Sequence, residues 1–168
     1  CNTDHPTPPP NHLAQRTTTT MSFQHALKAV LPHASTDKSL PLLNSVNINP
    51  SGTVRATDRY TLGESTFTPD ENTSTYLYGR KFTLTLADAK TLAKVPGTPV
   101  ISFDDADATP PVVTFDYRPI GGPSYTFATV EGEYPNLDRL FREVEDAEAT
   151  ETVALNLTYL ARFDAKHL

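Results

Sequence analysis

Phe82-Thr83-Leu84-Thr85-Leu86, running on to Val95, reads as a Thr-rich apolar strand that turns directly into a helix. Thr85 stands at the junction, where its hydroxyl can accept a hydrogen bond from a free N–H of the first helical turn. Leu84 and Leu86, on either side, can anchor the strand end and the helix start to one core. The unit recurs. Thr17-Thr18-Thr19-Thr20-Met21-Ser22-Phe23 lies upstream with Ser22 at the cap, and Thr152-Val153-Ala154-Leu155-Asn156-Leu157 lies downstream with Asn156 there. Three copies with caps at 22, 85 and 156 predict internal repetition.

Each helix is legible from its period. About Phe23 to Leu31, the i, i+4, i+7, i+8 spacing puts Phe23, Leu27, Val30 and Leu31 on one face, with Gln24, His25 and Lys28 opposite. Pro32 is expected to end that helix, because it lacks an N–H and disfavours helix in the residue before it. About Leu86 to Val95, the apolar face is Leu86, Ala89, Leu92 and Ala93, and the polar face carries Lys90, Thr91 and Lys94. Pro96-Gly97 stops it.

Strands fill the rest. Leu42–Asn49 and Thr53–Thr57 flank the hairpin turn Pro50-Ser51-Gly52, and Tyr60–Thr68 and Thr75–Thr83 follow across the polar loop Pro69–Thr73. After the second helix come Val100–Phe103, Val112–Tyr117 and Ser124–Val130. Each half is a helix followed by a strand meander, which makes an α+β domain with antiparallel sheets. The expected division is a disordered Pro-rich leader over 1–13, one domain over 14–142, and an acidic linker with the start of a second domain over 143–168. The chain therefore reads as part of a longer protein.

Composition narrows the function. With 168 residues, 38% hydrophobic and 20% charged, the chain can bury a core. A single cysteine, Cys1, excludes an internal disulfide and a Cys-rich zinc site, and fits a reducing compartment. No apolar run approaches the roughly 18 residues of a membrane span, and the N-terminus lacks the pattern of a signal peptide. The formal charge of −6 argues against a protein that grips DNA by bulk electrostatics, so any DNA contact must come from a local patch or from topology.

Several ordered segments resemble the bacterial-type sliding clamp, the beta subunit of the replicative DNA polymerase III. Ser35-Thr36-Asp37-Lys38-Ser39-Leu40-Pro41-Leu42-Leu43 after the first helix is similar to the family's entry into an "LPIL" strand. Gly52-Thr53-Val54-Arg55-Ala56-Thr57-Asp58-Arg59-Tyr60 is similar to its hairpin ending in "ATD". Ala128-Thr129-Val130-Glu131-Gly132-Glu133-Tyr134-Pro135-Asn136-Leu137 is similar to the "FPDY" or "FPNL" segment that closes a clamp domain. The likeness covers about residues 17–142, with 152–168 resembling the next domain's start.

The resemblance implies a DNA-clamp fold of two pseudo-repeated helix-plus-antiparallel-strand halves per domain. It implies a processivity factor, not an enzyme, that forms an oligomeric ring around duplex DNA and tethers the replicative polymerase after loading by a clamp loader. A cytoplasmic, nucleoid-associated protein without membrane contact or cofactor is expected. Helices line such a ring, so Lys28, Lys90 and Lys94 are the DNA-facing candidates; ordinary solubilising lysines are an equal reading. The resemblance also implies a partner-peptide pocket at Thr57, Arg59, Tyr60, Thr61, Leu62, Pro135, Arg139 and Leu140, since an apolar floor with polar edges anchors a short peptide. Two departures stand against it: Arg59-Tyr60-Thr61 replaces the family's usual Gly-His-Arg, and Leu137-Asp138 its Tyr-Arg. The segments also resemble the clamp's first domain, which lacks the pocket, so core and turn residues are the other reading.

No residue set suggests catalysis. Asp58 reads as the cap of the turn after its strand. Asp104, Asp105 and Asp107 lack the Gly and distal Glu of a calcium loop, and His25 and His33 fall off a common helix face, so no metal is expected. Ser–His–Asp, Walker and GxSxG patterns are absent. Two alternatives stay open: a clamp-fold module that binds proteins without encircling DNA, and an enzyme on an unrelated α+β fold.

Overall fold

The computed structural model describes residues 21–69, 80–105, 108–139, 142 and 157–163. Helix α1, Phe23–Val30, starts at Ser22, whose Oγ accepts from the His25 amide at 3.5 Å. Helix α2, Leu86–Leu92, starts at Thr85, whose Oγ1 accepts from the Asp88 amide at 3.2 Å and donates to Asp88 Oδ2 at 2.6 Å. That reciprocal pair satisfies the helix start and places a carboxylate at its positive end. The third cap, at Asn156, lies outside the described residues, as do the 1–13 leader, the Thr17–Thr20 strand and the acidic 143–151 segment.

Strands β1 (Ser45–Asn49), β2 (Thr53–Thr57), β3 (Leu62–Thr66) and β4 (Phe82–Thr85) form one antiparallel sheet. Strands β5 (Val100–Asp105), β6 (Val112–Asp116) and β7 (Ser124–Ala128) form a second, in the order β5-β6-β7. The β1–β2 hairpin closes on Gly52, at φ 126°, where a Cβ would lie 2.7 Å from the Phe67 carbonyl oxygen; only glycine fits.

The α+β class and both antiparallel sheets are as expected, but two local readings need correction. The first sheet runs β3-β2-β1-β4, so it is not a simple meander: β4 skips β3 and pairs with β1, through Val46 with Leu84 and Ile48 with Phe82. The strand expected from Leu42 begins at Ser45, because Leu43 and Asn44 both donate to the Leu40 carbonyl, at 2.9 and 2.8 Å, and curl that stretch into a turn. Helix α1 stops at Val30, before Pro32, as expected, but Pro32 does not straighten the chain. It enters a 3₁₀ turn, Leu31–His33, near its start, where its missing N–H costs no hydrogen bond.

One core joins both halves. Phe23 of α1 meets Phe67 edge-on at 5.0 Å and stacks on Phe115 of β6 at 5.6 Å. Phe115 also meets Phe82 of β4 at 6.0 Å, so the second sheet is wedged against the first through aromatic rings. Leu27, Val30, Leu86, Ala89, Leu92, Val46, Ile48, Val54, Leu84, Ile101 and Val113 belong to the same cluster. Beyond β7 the Val130 amide donates to the Thr83 carbonyl at 2.8 Å, tying the chain's exit to the first sheet.

Candidate peptide pocket and cationic helix face

The turn leaving β2 is built by two side chains. Asp58 Oδ1 accepts from the amides of Tyr60 (3.0 Å) and Thr61 (2.8 Å) and from the Thr61 hydroxyl (3.1 Å). Thr57 Oγ1 donates to the Thr61 carbonyl at 2.8 Å and accepts from the Arg59 amide at 3.2 Å. Between them Arg59 is held at φ 81°, a conformation that a non-glycine residue adopts only when its surroundings over-determine it. Asp58 is thus the turn cap expected from sequence.

Asp58 has a further partner, Arg162, which pairs with Oδ2 and donates to the Thr61 hydroxyl at 3.1 Å. Burial works against ionisation of Asp58, but the Arg162 guanidinium and the Thr61 and Tyr60 amides outweigh it and hold the carboxyl at about 2.

Beside this turn lies a cavity of about 550 Å³. Leu40, Pro41, Leu42, Leu43 and Leu137 form its apolar surface, and Thr57, Arg59, Ser39 and Glu133 its polar edges, with Pro135 at the wall. An apolar floor with a cationic and an anionic edge suits a short hydrophobic peptide. Next to it, burial holds the Tyr134 phenol up at about 12, so that side chain is neutral.

Of the eight candidates, the structure brings Thr57, Arg59 and Pro135 to this cavity. Thr61 is buried beneath Arg162, Tyr60 stacks on Tyr159 at 5.5 Å, and Leu62 opens β3; none of these three lines it. Arg139 is exposed and outside the lining, and Leu140 lies outside the described residues. Sequence reasoning missed the Leu40–Leu43 run and Leu137 as lining, although both stand in segments that resemble the clamp. The signal was there: three leucines around a proline make a poor strand and a good apolar wall.

Lys28 on α1 and Lys90 and Lys94 on or just after α2 are all exposed. The two helices are neighbours: Gln24 Nε2 donates to the Ala93 carbonyl at 3.2 Å, and the Gln24 amide to the Gly97 carbonyl at 3.4 Å. No ion pair neutralises these lysines among the described residues. A second, polar groove of about 700 Å³ runs past Arg55, Lys81 and Asp138, where Arg55 meets Glu64 at 2.6 Å and Asp138 at 2.7 Å, and Lys81 meets Asp138 at 3.7 Å.

No group of three or more metal-ligating side chains gathers among the described residues. Asp104 is engaged by the Thr114 hydroxyl across β5 and β6, while Asp107 lies outside the described residues. His33 is buried and His25 exposed. No described helix is long and apolar enough to cross a membrane.

No model of a known protein family matches the chain. A curated protein from Micrococcus luteus named "Beta sliding clamp" is 36% identical over 141 residues, which takes in 80% of this chain and 43% of that protein. The chain therefore spans less than half the length of this relative.

Proposed function

Since this chain belongs to the sliding-clamp family, we propose that it supplies one clamp domain, with the beginning of another, to a non-enzymatic processivity factor of DNA replication. Residues 14–142 make the first and 143–168 lead into the second. Copies assemble into a ring around duplex DNA, and the ring tethers a replicative polymerase after a clamp loader has opened it. It works in the cytoplasm, at the nucleoid.

The observation that carries this reading is the pairing of a net charge of −6 with exposed lysines on two neighbouring helices. A chain so acidic repels DNA as a whole, and a closed ring needs only weak phosphate contacts on its inner face. Lys28, Lys90 and Lys94 supply those contacts. The cavity beside Thr57, Arg59 and Pro135 takes the hydrophobic peptide by which polymerase or loader is held.

The triple variant Lys28→Glu/Lys90→Glu/Lys94→Glu tests the DNA face. Retention on circular duplex DNA should fall, and the salt dependence of binding should flatten by roughly 0.9 in log–log slope for each phosphate no longer neutralised. Unchanged retention and slope would assign the three lysines to solubility alone. The second reading, a protein-binding module of clamp fold that encircles nothing, draws on the apolar cavity and the acidic charge. Sedimentation of the full protein separates the two, because a clamp must form a closed ring and a module sediments without one.

A further inference from the structure

Residues 157–163 reach back onto the Asp58 turn from about a hundred positions downstream. Leu157–Leu160 form one helical turn, in which Tyr159 stacks on Tyr60 at 5.5 Å with ring planes 13° apart. The Arg162 guanidinium lies over the Tyr159 ring, 5.1 Å from its centroid, and pairs with Asp58 Oδ2. Phe163 meets His33 at 4.6 Å, beneath the same turn. The side chain of Asp58 is 11% exposed and that of Arg162 29%, so this ion pair is shielded from water far better than a surface bridge.

The contact bears on the cavity through the backbone. Asp58 uses Oδ1 to order the Tyr60 and Thr61 amides, and Thr61 in turn receives the Thr57 hydroxyl through its carbonyl. Thr57 and Arg59 are wall residues of the 550 Å³ cavity, and Arg59 stands in a left-handed conformation that relaxes unless its neighbours hold it. Arg162 touches both members of that frame, the Asp58 carboxylate and the Thr61 hydroxyl, from outside the turn.

We propose that Arg162 is a positioning residue for the pocket: it locks the Asp58 turn from outside and so sets the wall formed by Thr57 and Arg59. The proposal rests on reading the cavity as a peptide site. Its consequence is that the segment around Arg162, which is expected to begin the following domain, governs the affinity of the preceding one without lining its pocket. Docking or release of residues 157–163 then changes partner affinity through the turn.

The test uses the full chain, a fluorescein-labelled Gln- and Leu-rich peptide, and hydrogen exchange at the Tyr60 and Thr61 amides. Arg162→Met keeps the length and apolar bulk but removes the charge; Arg162→Lys restores a cation. Arg162→Met should weaken the peptide by about tenfold, the scale of one charge-assisted hydrogen bond, and speed exchange at both amides to a similar degree. Arg162→Lys should recover most of both. Unchanged affinity in Arg162→Met overturns the proposal, whether or not the amides respond, and so does a loss that Arg162→Lys fails to recover. If the wild-type chain does not take up the peptide, the pocket reading fails and the proposed control of affinity falls with it. The exchange rates then decide separately whether Arg162 orders the turn.

Discussion

His33 is buried where the 3₁₀ turn passes under β3, its ring 4.6 Å from Phe163 and its Nδ1 without a hydrogen-bond partner among the described residues. The fit is close: a Cβ on Gly63 would stand 2.4 Å from the His33 ring, so glycine there makes room for the imidazole. Burial, then the nearby Arg162 charge, pushes the imidazole pKa below its ordinary 6.5, and the Asp58 carboxylate only partly restores it. The unfolded chain therefore takes up a proton near 6.5 while the folded chain still refuses it. Stability is complete above that pH, declines as pH falls below 6.5, and levels off once the folded histidine titrates too. Urea unfolding at pH 7.5 and 5.5 measures this. The wild type should lose more stability across the interval than His33→Phe, and equal losses would show that His33 titrates alike in both states. At this scale Asp58 was legible, since Asp is a familiar turn cap. Arg162 was not, because nothing local marks a residue a hundred positions away as its partner.

At the scale of elements, helix starts were the most readable feature. Ser22 and Thr85 cap α1 and α2 as their neighbours predict, because a cap depends on residues within one turn. Each should stabilise the fold by about 1 kcal/mol, so Ser22→Ala and Thr85→Ala should each lower the denaturant midpoint by that equivalent without changing the slope. Thr85→Ala should cost more than Ser22→Ala, since the second partner of Thr85 is the Asp88 carboxylate at the positive end of its helix, whereas that of Ser22 is the exposed His25 ring at 2.8 Å. A larger loss in Ser22→Ala would contradict that ranking. Helix exits and strand starts were read less well. Pro32 continues into a 3₁₀ turn, and Leu40–Leu43 curls instead of extending, because hydrogen bonds to the Leu40 carbonyl compete with strand pairing. Both outcomes are settled by which backbone donors find partners, and composition does not reveal that.

Across the whole molecule, Phe115 is the joint. It lies on the second sheet, is fully buried, and touches Phe23 of α1, Phe82 of the first sheet and Phe127 of β7. Phe115→Ala should destabilise the chain by roughly 3–5 kcal/mol, the range for emptying a large aromatic site in a packed core. Denaturant unfolding measures it, and a loss under about 1 kcal/mol would mean that the two sheets hold together by other contacts.

The sequence by itself determined the α+β class, the two capped amphipathic helices, the hairpin at Gly52 and the resemblance to clamp domains. The first three rest on periodicity, caps and turns, which act over a few residues, and the resemblance on the order of three short motifs. Tertiary structure alone decided that β4 pairs with β1, that Leu40–Leu43 and Leu137 share a cavity with Thr57 and Arg59, and that Tyr60 and Thr61 face the 157–163 segment. Those facts follow from which surfaces meet when the two halves bury a common core. Such pairings join residues far apart in the chain, and their energies exist only once the backbone has brought them together.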